Sequence, residues 1–180
     1  MPGNESCSLV ILGLGNELCG DDSLGYTVIR ALTAGYAVPD GVTVVDAGAL
    51  GSSALAFLAS ARMAIVVDAV RVDSPPGAFF RLQGKEVAAS ILDRLAPEGV
   101  GNIELEAGGS LPDPLILLGL VPKTVQSGLE RSSVVEAGLP GLIKRVVLEA
   151  RLVGYELVPK AHTDLSSGRD TRPAARAVAL

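Results

Sequence analysis

Short, almost wholly apolar runs alternate along this chain with stretches whose apolar residues recur every three or four positions. SLVILGLGN (8–16) predicts a strand running into a glycine turn. Residues 23–37 carry Leu24, Val28, Ile29 and Leu32 as a helical stripe, with Asp21, Asp22 or Ser23 available as its N-cap. VTVVDAG (42–48) predicts a second strand and turn, and SSALAFLAS (52–60) a helix opened by serines. MAIVVDAV (63–70) is nearly all apolar and predicts a central strand. PPGAFFRL (75–82) follows a proline turn and predicts a fourth strand, at an edge. KEVAASILDRL (85–95) predicts a helix, LILLGLVP (115–122) a fifth strand, and residues 132–152 a long helix that Pro140 must start or kink.

Strands alternating with helices predict an α/β fold: a single-domain three-layer sandwich whose mostly parallel, twisted five-stranded sheet carries helices on both faces. The domain is expected over residues 1–158. The polar, aperiodic stretch 159–180 is expected to be a disordered tail. No internal repeat and no second domain is visible.

Three of the strands lead to acids. The first reaches GNELCGDDSLG (15–25), where Asp21 and Asp22 stand side by side; the second ends at Asp46 and the third at Asp68. In a parallel sheet all carboxyl edges lie on one side, and ligands bind in the crevice there. The carboxylates can therefore converge, and hard oxygen donors at such a place suit a divalent cation. Taken alone, Asp46 reads as a helix cap. Asp68 sits where an unpaired carboxylate is costly. GLGN opens like a dinucleotide fingerprint, but GxGxxG would need glycine where Leu18 stands. The glycines are better explained by a tight turn against a neighbouring backbone.

Composition narrows the function. Of the 180 residues 48% are hydrophobic and only 19% charged, enough for a substantial core. A net charge of -5 and the absence of Trp argue against nucleic acid as a partner. Two cysteines, Cys7 and Cys19, in a domain with a good core fit a reducing compartment. No signal peptide and no apolar run long enough to span a bilayer is present, so a cytoplasmic location is expected.

ILGLGNELCGDDSLGYTVIRAL (11–32) resembles the N-terminal signature of the hydrogenase maturation endopeptidases: an apolar strand, GxGN, a short spacer, an acidic pair and a glycine-containing helix. VTVVDAGALG resembles that family's second strand. MAIVVDAVRVDSPPGAFFRL resembles its third strand and the proline–glycine turn, and LILLGLVPKTVQSGLERSSVVEAGLPGLI its closing segment. The likeness covers roughly residues 8–152. It implies a metal-dependent peptidase that trims the C-terminal extension of a nickel–iron hydrogenase large-subunit precursor after nickel insertion. The nickel is supplied by the substrate. It also implies that Asp22 and Asp68 are metal-binding and catalytic, with Gly13, Gly15, Asn16, Asp21, Asp46 and Gly48 in supporting positions.

The chain departs from the family where a histidine is expected before the fifth strand. EAGGSLPDPL stands there instead, so that position falls on Ala107 and the nearest substitutes as third ligand are Glu104 and Glu106. The only histidine, His162, lies in the tail and reads as a solvated side chain. With one tail histidine no Ser–His–Asp or Cys–His arrangement can be built. Cys19 reads as a small buried apolar residue rather than a soft ligand. The alternative reading is a non-proteolytic partner that checks the metallated subunit. VILGLGN also resembles the opening of peptidyl-tRNA hydrolases. Those have proline after the Asn and a histidine soon after, where this chain has Glu17, and the acidic charge is wrong for tRNA. Oligomeric state is not legible.

Overall fold

The computed structural model describes residues 8–95, 110–125, 127, 128 and 130–161. Glu104, Glu106, Ala107, His162 and Cys7 lie outside them. Strands β1 (Leu9–Gly13), β3 (Val42–Asp46), β4 (Met63–Ala69), β6 (Leu115–Leu120) and β5 (Phe79–Gln83) form one sheet in the order β3-β1-β4-β6-β5. The first four are parallel, and β5 runs antiparallel to β6 at the edge. The expected α/β architecture is therefore present, with its fourth strand shortened because residues 75–78 form the turn that reverses the chain.

The alternation of side chains along a strand explains why these runs are apolar throughout. Leu9, Ile11, Ile65, Val67, Ile116 and Leu118 face one side and pack on α1 (Leu24–Gly35) and α5 (Ser133–Leu152). Val10, Leu12, Ala64, Val66, Leu115 and Leu117 face the other and pack with Leu55 and Leu58 of α3 (Ala54–Ser60) and Val87 and Ile91 of α4 (Lys85–Leu95). Both faces are covered, so a polar residue in the even series of β4 must look toward α4. Asp68 is such a residue.

Some boundaries differ from expectation. The chain enters α1 through a 3-10 turn at Gly20–Ser23, so neither Asp caps the helix by its side chain. Ser23 stands at the N-cap position, but its hydroxyl donates to the Gly20 carbonyl at 2.6 Å. Pro140 neither starts nor ends α5; it lies within the helix on an exposed face, where the carbonyl it leaves without a donor can meet water. Arg81 of β5 forms a bidentate pair with Glu149 of α5, at 2.7 and 3.2 Å, which ties the edge strand to a helix. Beyond α5 the chain returns as β7 (Val158–Pro159), antiparallel to β2 (Tyr36–Ala37), and Lys160 bonds the Gly35 and Thr33 carbonyls. Among the described residues no helix is long and apolar enough to cross a membrane.

Two connections position the site. From β1 the chain passes to β3 on one side, while β4 lies on the other; the carboxyl ends of β1 and β4 thus flank the crevice where strand order reverses. From β4 it reverses through β5 and then enters α4 at the amino edge of the sheet, since Gln83 pairs with Ile116 near the start of β6. The 11 residues of α4 rise back about 16 Å, which returns the helix's last turn to the carboxyl edge.

Candidate active site

The turn after β1 is folded tightly on itself. Gly15 has φ +112°, and a Cβ there would lie 1.8 Å from the Asp22 carbonyl oxygen. Gly48 closes the same turn from outside, since its Cβ would lie 2.2 Å from the Gly15 oxygen. Only glycine permits either approach. Gly13 similarly lets β1 touch α1 at Gly25.

The 3-10 turn then separates the adjacent acids. With three residues per turn, consecutive side chains point about 120° apart. Asp21 is 1% exposed and looks toward the segment before α5. It accepts from the Lys123 N–H (2.8 Å), the Thr124 N–H (3.2 Å), the Ser132 N–H (2.7 Å) and the Ser132 hydroxyl (2.8 Å). Burial raises its pKa, but these hydrogen bonds together outweigh burial and hold the carboxyl below its ordinary value. Asp21 is a structural hub.

Asp22 looks the other way, into the crevice. Arg71 Nη2 lies 3.3 Å from its Oδ1, and Arg94 Nη2 lies 3.4 and 3.5 Å from Oδ1 and Oδ2. Asp68 is 4% exposed; its Oδ1 accepts from the Ala69 N–H at 2.7 Å, and Arg94 Nε lies 3.0 Å from its Oδ2. The Nε–Nη2 edge of one guanidinium thus spans both carboxylates. Burial pushes the Asp68 pKa up to about 7, with Arg94 opposing and the Asp22 charge adding to the rise. Beside this group lies a cavity of about 300 Å³ lined by Asp68, Arg71, Ser90, Leu82, Arg94 and Leu117. A second, of about 350 Å³, is lined by Arg71, Val72, Val121, Pro122, Thr124 and Val125. Arg71 and Val72 line both, so the two adjoin, and the first borders Asp68.

The structure therefore brings Asp22 and Asp68 together and leaves the other acids apart. Asp46 caps the short helix α2 (Ala47–Leu50) through the Gly48 N–H at 3.1 Å. It lines a separate small cavity of about 110 Å³ with Gly15, Asn16 and Tyr26. Asn16 accepts from the Leu18 N–H at 2.9 Å, an Asx turn. Asp46→Ala is accordingly expected to cost about 1 kcal/mol, the loss of one cap, in a denaturant melt, with catalysis retained. Cys19 is a free, half-buried thiol rather than a core residue, because its backbone bridges to Gly128 in an outer loop.

Two site residues escaped the sequence reading: Arg71 and Arg94. Arg71 stands three residues after Asp68, just beyond the end of β4. Arg94 had a usable signal, since Val87, Ile91 and Arg94 share the buried stripe of α4 at helical spacing. An arginine on an apolar stripe calls for a buried anion.

The donor set can be tested against a metal. Among the described residues no group of three or more His, Cys, Asp or Glu is arranged to hold an ion. Asp22 and Asp68 are the two carboxylates that the described residues bring together here. Their oxygens are hard donors of the kind a divalent cation takes.

The family model described as HycI, hydrogenase maturation protease, matches residues 26–149, which include Asp68, Arg71 and Arg94 and begin four residues after Asp22. The hydrogenase 2 maturation protease of Escherichia coli (strain K12) is 29% identical over 157 residues, 84% of this chain and 96% of that protein. The putative hydrogenase maturation protease MJ0253 of Methanocaldococcus jannaschii is 38% identical over 81 residues, 44% of this chain and 52% of that one. The hydrogenase maturating endopeptidase HybD from E. coli superposes with a TM-score of 0.75 at 28% identity, over 85% of this chain and 98% of that chain. The hydrogenase 2 maturation peptidase from Thaumarchaeota archaeon SCGC_AB-539-E09 does so with 0.63 at 27% identity, over 81% and 99%. The chain belongs to the hydrogenase maturation protease family.

Proposed function

We propose that this protein removes the C-terminal extension of a nickel–iron hydrogenase large-subunit precursor after nickel insertion, and that it reads the inserted nickel through Asp22 and Asp68. The observation that carries this reading is the meeting of those two carboxylates at the switch point of the sheet, in a chain of this family. Nickel is cargo of the substrate here. When docked it would polarise a peptide carbonyl or activate a water. Asp22 and Asp68 would supply oxygen ligands to its open positions, and the cavity bordering Asp68 would hold the adjoining extended peptide.

The surroundings suit a protein as substrate. Leu18, Leu50, Val72 and Val125 are all exposed, and they stand on the connections after β1, β3, β4 and β6. These connections leave the same edge of the sheet as the crevice, so exposed apolar side chains accompany it. A large-subunit precursor seated on this edge would cover them.

Complex formation tests the recognition step separately from cleavage. A nickel-loaded precursor is expected to bind the unmodified protein roughly tenfold or more tighter than the nickel-free precursor. The preference should vanish in the Asp22→Asn/Asp68→Asn double variant. Equal binding of both precursor forms to the unmodified protein would overturn nickel reading.

A further inference from the structure

The position between Asp22 and Asp68 is already filled by a cation that belongs to the chain. Arg94 Nε lies 3.0 Å from Asp68 Oδ2 and its Nη2 3.4 Å from Asp22 Oδ1. Arg71 pairs with Asp22 alone, and its side chain is 60% exposed against 26% for Arg94. Arg94 is also the better anchored by its backbone, in the last turn of a helix whose Val87 and Ile91 are core residues. It therefore lies within ion-pair distance of both carboxylates at once, as Arg71 does not.

A divalent ion coordinated by both carboxylates and a guanidinium spanning them exclude one another, because each needs the same oxygens and like charges repel at that range. Arg94 has somewhere to go, since it borders the cavity of about 300 Å³. Its departure breaks two ion pairs with buried partners, and such partners are costly to leave alone. A free hydrated ion brings only its own coordination to offset that cost. An ion held in a protein substrate brings the contacts of the whole docking surface as well.

We infer that Arg94 is a displaceable internal counter-ion: it keeps Asp22 and Asp68 closed to free metal and yields only to metal presented by the protein substrate. The inference rests on the nickel-reading role of the two acids. It makes Arg94 a specificity-determining residue that acts by occupying the site.

The test is calorimetric titration of the isolated protein with Ni²⁺ alone, the unmodified protein and its variants being compared in one buffer. The unmodified protein is expected to bind weakly at this site. Arg94→Ala and Arg94→Gln should bind about tenfold tighter or more, while Arg94→Lys, which keeps the charge, should stay near the unmodified protein. Adding Asp68→Asn to Arg94→Ala should erase the gain. Circular dichroism identifies folded variants, and the Gln variant serves if the Ala variant does not fold. No gain in either folded variant, or a gain that survives Asp68→Asn, overturns the inference. If the unmodified protein still cleaves a nickel-loaded precursor, that failure leaves the proposed function standing. A gain in affinity without any cleavage overturns the peptidase reading instead and leaves Arg94 as the guard of the two acids.

Discussion

Asp68→Asn is expected to abolish processing of a nickel-loaded precursor while making the protein more stable at alkaline pH. Outer partners of a metal site typically cost 10- to 100-fold when lost, so removing a carboxylate proposed to meet the metal directly should cost about 100-fold or more. The stability effect runs the other way. Asp68 has its pKa raised from 3.8 to about 7, chiefly by burial and against the pull of Arg94. The folded protein therefore holds a proton that the unfolded chain releases. Stability from this group is full below pH 3.8 and is lost as pH rises through about 7. The loss is on the order of 4 kcal/mol across that window. Asn mimics the protonated form and still accepts from the Ala69 N–H, so the variant's melts should lack this decline. Urea unfolding at several pH values, beside a cleavage assay, checks both halves. A variant that processes normally, or that loses its fold at neutral pH, would count against the role given to Asp68.

Asp21→Ala is expected to be the most damaging single change to the fold outside the two cores. One buried carboxylate satisfies the N–H groups of Lys123, Thr124 and Ser132 and the Ser132 hydroxyl. Removing it strands several donors at once, for which about 3 kcal/mol or more is expected. Here the pKa sign is opposite. Burial is outweighed by the hydrogen bonds and the carboxyl titrates below 3.8, so its contribution is present above that value and lost in acid. The variant should thus be destabilised at neutral pH and show a flatter acid limb than the unmodified protein. Activity would fall as well, because the same turn aims Asp22, but as a consequence of unfolding. A stabilising osmolyte should restore part of it, which it would not do for Asp68→Asn.

The neighbouring acids show where sequence reading stops. The apolar runs of β1, β4 and β6 were legible because both faces of each strand are buried, and the carboxyl-edge rule then put Asp22 and Asp68 in one crevice. Asp21 and Asp22 could not be told apart, since their separation comes from a 3-10 turn that only the geometry of Gly15 and Gly48 enforces. Arg94 was hidden for a different reason: its partners are 72 and 26 positions away, and only the antiparallel detour through β5 returns α4 to the active edge. The Arg81–Glu149 pair is of the same kind, joining an edge strand to a helix 68 residues later. Glu104 and Glu106, expected as substitutes for the missing histidine, fall outside the described residues, so the third position rests on sequence alone.

Under the proposed function this protein trims its substrate only when nickel is in place. The most direct measurement is the intact mass of a hydrogenase large-subunit precursor, nickel-loaded and nickel-free, after incubation with the unmodified protein. The expected result is loss of a C-terminal peptide from the loaded form alone. Trimming of both forms, or a stable complex with the loaded form whose mass never changes, would contradict it.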